Sequence, residues 1–212
     1  MQKSSTVTDK TAVLRPLGNI HHLALRCRDA EQTRWFYEDI LGLTLAAALS
    51  LENSPGTEKE RPFLHLFLEL GDGNYIAFFD EPGHAKPEQF EIKDSFDIHI
   101  AFETENMESM LAWKNKISAA GDFIFGPIDH EFVESVYFFD PNGYALEITH
   151  KTAKHDAVLL EEKSNARQQI AEWSARTRAK KIEVFGADAI DSRCSALLAP
   201  HSNTQKSPSK KT

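Results

Sequence analysis

Cysteine is scarce: Cys27 and Cys194 are the only two in a chain of 212 residues, and they lie far apart. That excludes a disulfide-stapled scaffold and suits a reducing compartment. Long apolar runs are missing, and no stretch approaches the roughly 20 residues that cross a bilayer. Met1 to Lys10 is polar and has no apolar signal core. A basic surplus is missing too: 24 Lys and Arg stand against 32 Asp and Glu, a net charge of −8. Without a positive field to neutralise phosphates, a nucleic-acid partner is not expected. These absences together predict a cytoplasmic protein without a membrane or nucleic-acid role. What the chain does have is 41% hydrophobic residues and 14 Phe, enough for one sizeable core plus an appendage.

The stretch from Val136 to Thr149 organises the rest. Pro141-Asn142-Gly143 reads as a tight turn, because proline presets φ and glycine tolerates positive φ. It joins the β-rich flanks Val136 to Phe139 and Tyr144 to Thr149. Glu147 stands mid-strand between Leu146 and Ile148, where an unpaired buried charge is costly. It calls for water, a cation or a metal.

Upstream, one pattern occurs twice. The first unit begins with a strand from Ile20 to Cys27. A helix follows over about Ala30 to Ile40, capped by Asp29 with Gln32 as capping-box partner and ended by Gly42. Leu43 to Leu49 predicts a strand, Ser50 to Arg61 a loop, and Phe63 to Leu70 with Tyr75 to Phe79 a hairpin. Glu81 to Lys93, with two prolines, reads as a linker. The second unit has a strand at Asp97 to Glu103, a helix at Asn106 to Ala120, a short strand at Phe123 to Phe125, and the closing hairpin. Setting His22 on His99 puts Asp29 on Asn106, Phe36 on Trp113 and Ile40 on Ile117. Setting Gly73 on Gly143 puts Ala77 on Glu147. The repeat predicts an α+β fold of two βαβββ modules, about residues 17–80 and 95–151, within a domain spanning 17–152. Residues 1–16 read as a flexible arm and 201–212 as a disordered tail. Residues 153–200 read as a helical extension, with a charged helix from Ala157 to about Ile182 that has Leu159, Ile170 and Trp173 as sparse apolar anchors.

Strand side chains alternate between faces. His22 shares a face with Ala24, His99 with Ala101, and Glu147 with Ala145 and Thr149, while Leu23, Leu25, Ile98, Ile100, Leu146 and Ile148 point the other way. The small alanines leave room beside each polar residue. A lone strand histidine is ordinarily a hydrogen-bonded structural residue. Two at equivalent places in two repeats, with a glutamate on the closing strand, make a metal set. Two imidazoles and one carboxylate with open positions suit non-haem Fe(II). His65 shares parity with Phe67 and Glu69 and faces the same cavity, as an acid or base or as lining. His84, on the linker, has a weaker claim. His21 is expected on the apolar side, and His150 and His155 on the surface. No base stands near Cys27 or Cys194 in sequence to make either a nucleophile.

Ile20-His-His-Leu-Ala-Leu-Arg26, Asp29, Phe36-Tyr37, Leu41-Gly-Leu43, His99-Ile-Ala-Phe102 and Tyr137-Phe-Phe-Asp-Pro-Asn-Gly143 with Glu147 resemble the vicinal oxygen chelate superfamily. It includes glyoxalase I, bleomycin- and fosfomycin-resistance proteins and type I extradiol dioxygenases. The resemblance covers roughly Leu17 to Lys151. It implies two modules joined into a curved mixed sheet around a divalent metal held by His22, His99 and Glu147. Glyoxalase-like members take a further ligand at the place of Ala77, which cannot bind metal. That favours the extradiol branch, with Fe(II), or Mn(II), acting on a 2,3-dihydroxybiphenyl-like aromatic diol and O2. In that branch Tyr137 resembles a tyrosine that hydrogen-bonds the bound diol, and His130 resembles a histidine at the pocket mouth. The alternatives are a glyoxalase-type lyase or isomerase and a non-catalytic resistance-type binding protein. Superfamily members pair their modules within or between chains, and the extension makes a homodimer or higher homo-oligomer plausible.

Overall fold

The computed structural model describes residues 17–57 and 59–192. The expected arm 1–16, tail 201–212 and Cys194 lie outside the described residues, as does the end of the expected extension. The chain divides into two units between His155 and Asp156.

The first unit contains both modules. Module 1 runs β1 (His22–Cys27), α1 (Ala30–Arg34) widening into a π turn (Trp35–Ile40), β2 (Thr44–Asn53), β3 (Glu60–Glu69) and β4 (Tyr75–Asp80). Module 2 runs β5 (His99–Glu103), α2 (Met107–Ala119), β6 (Phe125–Asp129), β7 (Val133–Phe139) and β8 (Ala145–Lys151). Each module closes its own mixed sheet, in the orders β1-β4-β3-β2 and β5-β8-β7-β6, so the chain forms two four-stranded sheets rather than one continuous curved sheet. The internal repeat extends to register. Ala24 pairs with Ala77 on β1 and β4, where Ala101 pairs with Glu147 on β5 and β8.

Local corrections have local causes. The expected loop at Ser50 to Arg61 is mostly strand: Ser50 and Leu51 pair with Leu64 and Phe63, and Asn53 with Glu60, which leaves a short turn. Polar residues there alternate on a two-sided ladder instead of marking a loop. Asp29 does cap α1, accepting from the Gln32 N–H at 2.7 Å, but the Gln32 side chain accepts from Arg28 at 2.7 Å instead of reaching back. The capping box is therefore half made.

One apolar core serves both modules. Leu25, Leu66, Leu68, Ile76 and Phe78 from the first sheet and Val136, Phe138, Leu146 and Ile148 from the second belong to a single buried cluster with Phe36 and Tyr37. Tyr37 packs on Phe78 and Phe36 on Phe138, so the first helix lies between the sheets. Because side chains alternate, the other face of each sheet looks away from this shared core.

The turn between β7 and β8 fastens the modules together. Asp140 accepts from the backbone N–H groups of Asn142 and Tyr144 and from the Tyr37 hydroxyl at 3.1 Å. Asn142 accepts from the Arg28 N–H at 2.8 Å and donates to Thr33. The Tyr144 hydroxyl bonds both the N–H and the carbonyl of Arg26. Gly143 has φ +78, and a Cβ there would stand 2.3 Å from the Glu91 carbonyl oxygen, so both conformation and space require glycine.

The second unit consists of α3 (His155–Phe185) and α4 (Ala187–Asp191), tied by a bidentate Arg178–Asp191 pair at 2.8 and 3.0 Å. Leu159, Ile170 and Trp173 are exposed on α3. No helix of the described residues is long and apolar enough to cross a membrane.

Candidate metal centre

On the outer face of the second sheet, β5 and β8 bring His99 and Glu147 together. His99 Nε2 lies 3.8 Å from Glu147 Oε2. That is too long for a hydrogen bond but within the span of two metal–ligand bonds of about 2.1 Å each. His99 Nδ1 donates to the Ser95 carbonyl at 2.8 Å, which fixes the tautomer and leaves Nε2 as a lone-pair donor. Glu147 is 7% exposed, so its charge has little water to rely on. The donor set is that of a divalent metal half-site, and these two residues fit one.

Tyr137 stands across from Glu147 in the β7–β8 register. Its hydroxyl is 2.8 Å from His130 Nε2. Burial first, and then the nearby Glu147 carboxylate, push the Tyr137 pKa above its ordinary value. The phenol thus keeps its proton at neutral pH and is a donor. His130 reaches it from the β6–β7 turn, where Glu131 adopts a positive φ of 73.

His22 lies on the other sheet. Its Nδ1 bonds His21 Nδ1 at 2.9 Å and its ring packs edge-on against Phe67. His21 is exposed instead of facing the apolar side, and this bond is what it contributes. His65 joins the same face, stacked on Phe79 at 3.9 Å and beside Phe67 at 4.3 Å. Its Nε2 is buried with no hydrogen-bond partner. Burial, and then the neighbouring His22, lower its pKa, which favours a neutral ring. Ala77, the counterpart of Glu147, is buried against this face and offers no ligand.

Within one chain, then, His99, Glu147, Tyr137 and His130 come together on one sheet, and His22 and His65 on the other. Among the described residues no group of three His, Cys, Asp or Glu side chains is placed to hold a metal ion. A groove of about 860 Å³ runs along β5 and α2 past Ala101, Glu103 and Trp113 and includes none of these residues.

The other histidines resolve simply. His150 is buried, not on the surface, because it pairs with Glu134 at 2.9 Å. His84 is 3.0 Å from Glu81. Of the phenylalanines, Phe78 is core, while Phe67 and Phe139 share the outer faces with the site residues. Cys27 is buried, and burial pushes its thiol up to about 12, which removes it as a nucleophile.

The family model described as the Glyoxalase/Bleomycin resistance protein/Dioxygenase superfamily matches residues 19–148. The chain belongs to this superfamily. Among solved structures, it is similar to a glyoxylase/bleomycin resistance protein/dioxygenase domain from Frankia sp. EAN1pec. That match has a TM-score of 0.51 and 19% identity, covering 64% of this chain and 99% of that one. A glyoxalase/dioxygenase from Nostoc punctiforme is 28% identical with a TM-score of 0.49, covering 66% and 97%. The fosfomycin resistance protein FosX from Listeria monocytogenes is 20% identical with a TM-score of 0.48, covering 66% and 98%. A further structure of that protein is complexed with Mn(II) and sulfate. No curated protein matches. The superfamily assignment covers the two modules and leaves α3 and α4 outside it.

Proposed function

We propose that this superfamily member is a cytoplasmic, Fe(II)-dependent extradiol dioxygenase that cleaves an aromatic diol of the 2,3-dihydroxybiphenyl kind with O2. The observation that carries this is the pinned His99 facing Glu147 at 3.8 Å, with the hydrogen-bonded Tyr137 and His130 alongside. A ferrous ion held there would acidify the diol and bring it beside oxygen. His22 is the third ligand, contributed by a second copy of the chain. Tyr37–Asp140, Asn142–Thr33 and Tyr144–Arg26 lock the modules back to back, so His22 of the same chain cannot turn to the second sheet without breaking them. The outer faces are also apolar at Leu49 and Leu51 on one sheet and Phe125 and Phe139 on the other, all exposed in the single chain. A dimer that lays one copy's first module on the other's second module covers these and completes the site.

The protein's own groups have separate tasks. Tyr137 donates a hydrogen bond to a diol oxygen, and His130 relays its proton. His65, neutral and unpartnered, takes the proton of the second hydroxyl. Phe67 and Phe79 hold the ring and exclude water. Overall, one ring C–C bond breaks and both atoms of O2 enter the product.

The test is anaerobic Fe(II) loading followed by oxygen uptake with a panel of catechols, watching for a coloured ring-fission product. No uptake with any catechol, alongside turnover of a thiol hemiacetal under Ni(II) or Zn(II), overturns the reading. The shared site has its own test. His22→Ala and Glu147→Ala proteins are each expected to be inactive, and random re-pairing after mixing restores about a quarter of native sites. Mixtures that stay inactive, with subunit exchange verified, would place all three ligands in one chain.

A further inference from the structure

Beyond the metal ligands, the outer face of the first sheet ends in a charge cluster that the proposed chemistry does not use. Glu81, 3% exposed, accepts three hydrogen bonds, from Arg26 Nη1 at 2.5 Å, Arg61 Nη2 at 2.9 Å and Arg61 Nε, and His84 Nδ1 stands 3.0 Å away. Both of its oxygens are engaged. The two arginines are not fully engaged: Arg26 Nε and Nη2 and Arg61 Nη1 have no acceptor among the described residues. These guanidinium groups are 25% and 39% exposed and line a pocket of about 550 Å³ with Phe63, Phe79 and Tyr144. Two cations against one carboxylate leave a local excess of one positive charge, in a chain whose net charge is −8.

The pocket adjoins the site. Arg26 and Phe79 are register partners, and His22 and Tyr75 are partners four residues back along the same two strands. Four strand residues span about 13 Å, and Arg26 and His22 point to the same face. An aromatic wall runs from one to the other: Phe67 meets His22, His65 lies against Phe67 at 4.3 Å and stacks on Phe79 at 3.9 Å, and Phe79 stands beside Arg26. A ligand lying along this wall from His22 would place its far end at the free guanidinium donors. Planar N–H forks of this kind suit a carboxylate, which they bind in bidentate fashion.

We infer that the Arg26–Arg61 end of this pocket is an anion subsite, and that the substrate is an aromatic diol carrying a carboxylate about one further ring length from the diol. The inference rests on the dioxygenase reading for the word substrate, but the subsite itself can be tested without turnover. Biphenyl-4-carboxylate and its neutral counterpart biphenyl-4-methanol are titrated calorimetrically into the full-length protein. The acid is expected to bind at least tenfold more tightly, and its advantage to shrink as salt rises. Arg61→Gln keeps Arg26 to pair Glu81 and leaves the pocket neutral. It should bring the acid to within about twofold of the alcohol, while alcohol binding reports that the pocket is still formed. Arg61→Lys should retain part of the preference. Equal affinity of acid and alcohol for the native protein overturns the subsite, and so does a preference that survives Arg61→Gln. If Arg61→Gln does not fold, Arg61→Lys and the salt dependence decide: a salt-independent preference unchanged in Arg61→Lys also overturns it. Turnover of neutral diols without acid preference would leave the dioxygenase reading standing and remove only this subsite. Acid preference without oxygen uptake would do the reverse.

Discussion

The pair Ala24–Ala77 on β1 and β4 occupies the register that Ala101–Glu147 occupies on β5 and β8. Around the first pair the face is aromatic: Phe63, His65, Phe67 and Phe79, with His22 the single metal-ligand candidate. Around the second it is polar and protic: His99, Glu147, Tyr137 and His130. A repeat with one backbone and two surfaces separates the tasks of a site. In the proposed site the first surface would grip a ring and the second would carry the charge and the protons. Neither would be sufficient alone, which is the physical reason for proposing that the two meet across a dimer.

The largest effect should come from erasing the difference at its centre. Glu147→Ala makes the second module as blank as the first. It is expected to retain no Fe(II) after gel filtration by elemental analysis and to show no oxygen uptake. Full metal stoichiometry in this variant would remove the proposed ligand set. The opposite graft, Ala77→Glu, adds a carboxylate to the first module at the equivalent register. Overpacking a fully buried position costs about 1–3 kcal/mol. If the protein folds, the metal should be held at least as tightly while oxygen uptake falls tenfold or more, because a coordination position needed by substrate is filled.

Tyr137→Phe keeps the ring and removes the protic function. Metal content should be unchanged and turnover lower by about 10²-fold, in the range for a lost general acid. An unaltered rate would make Tyr137 a packing residue only.

The turns of the two hairpins make a matched pair. Gly73 and Gly143 both have positive φ, +82 and +78, yet a Cβ at Gly73 meets nothing within 4 Å and one at Gly143 meets the Glu91 backbone. Gly143→Ala should cost about 3 kcal/mol and Gly73→Ala about 1 kcal/mol, read from chemical denaturation. Equal costs would mean that the Glu91 backbone yields freely to a Cβ at Gly143.

Much of this comparison can be read from residue order. The repeat follows from matched helix caps and glycines, Asp29 with Asn106 and Gly73 with Gly143, and strand parity places His22, His65, His99 and Glu147 on the outer faces. What residue order does not reveal is which modules meet. That depends on contacts distant in the chain, Tyr37 to Asp140 and Arg28 to Asn142, which have no local signature. The Glu81 cluster is hidden for a related reason. Arg61 reads as loop and Glu81 as linker until the β3–β4 ladder brings them together. Its one advance sign is Arg26, which shares the parity of His22. His150 likewise reads as a surface residue until Glu134 folds over it.

The smallest predicted effect concerns that cluster and acid. Hydrogen bonds from Arg61, then Arg26, hold the Glu81 carboxyl down to about 2, against an ordinary value of 4.5. A carboxyl depressed on folding contributes stability that is complete above its unfolded value and is lost as pH falls through the folded one. The contribution is therefore full at neutral pH, declines below about 4.5, and is gone near 2. Solvent around the partly exposed arginines limits it to about 1–2 kcal/mol. Other carboxylates titrate in the same window, so the informative quantity is the difference between the native protein and Glu81→Gln. That difference should be constant from pH 7 to about 5 and close steadily as the pH falls further. A gap that stays constant down to pH 2.5 would mean that Glu81 contributes through shape and hydrogen bonding alone.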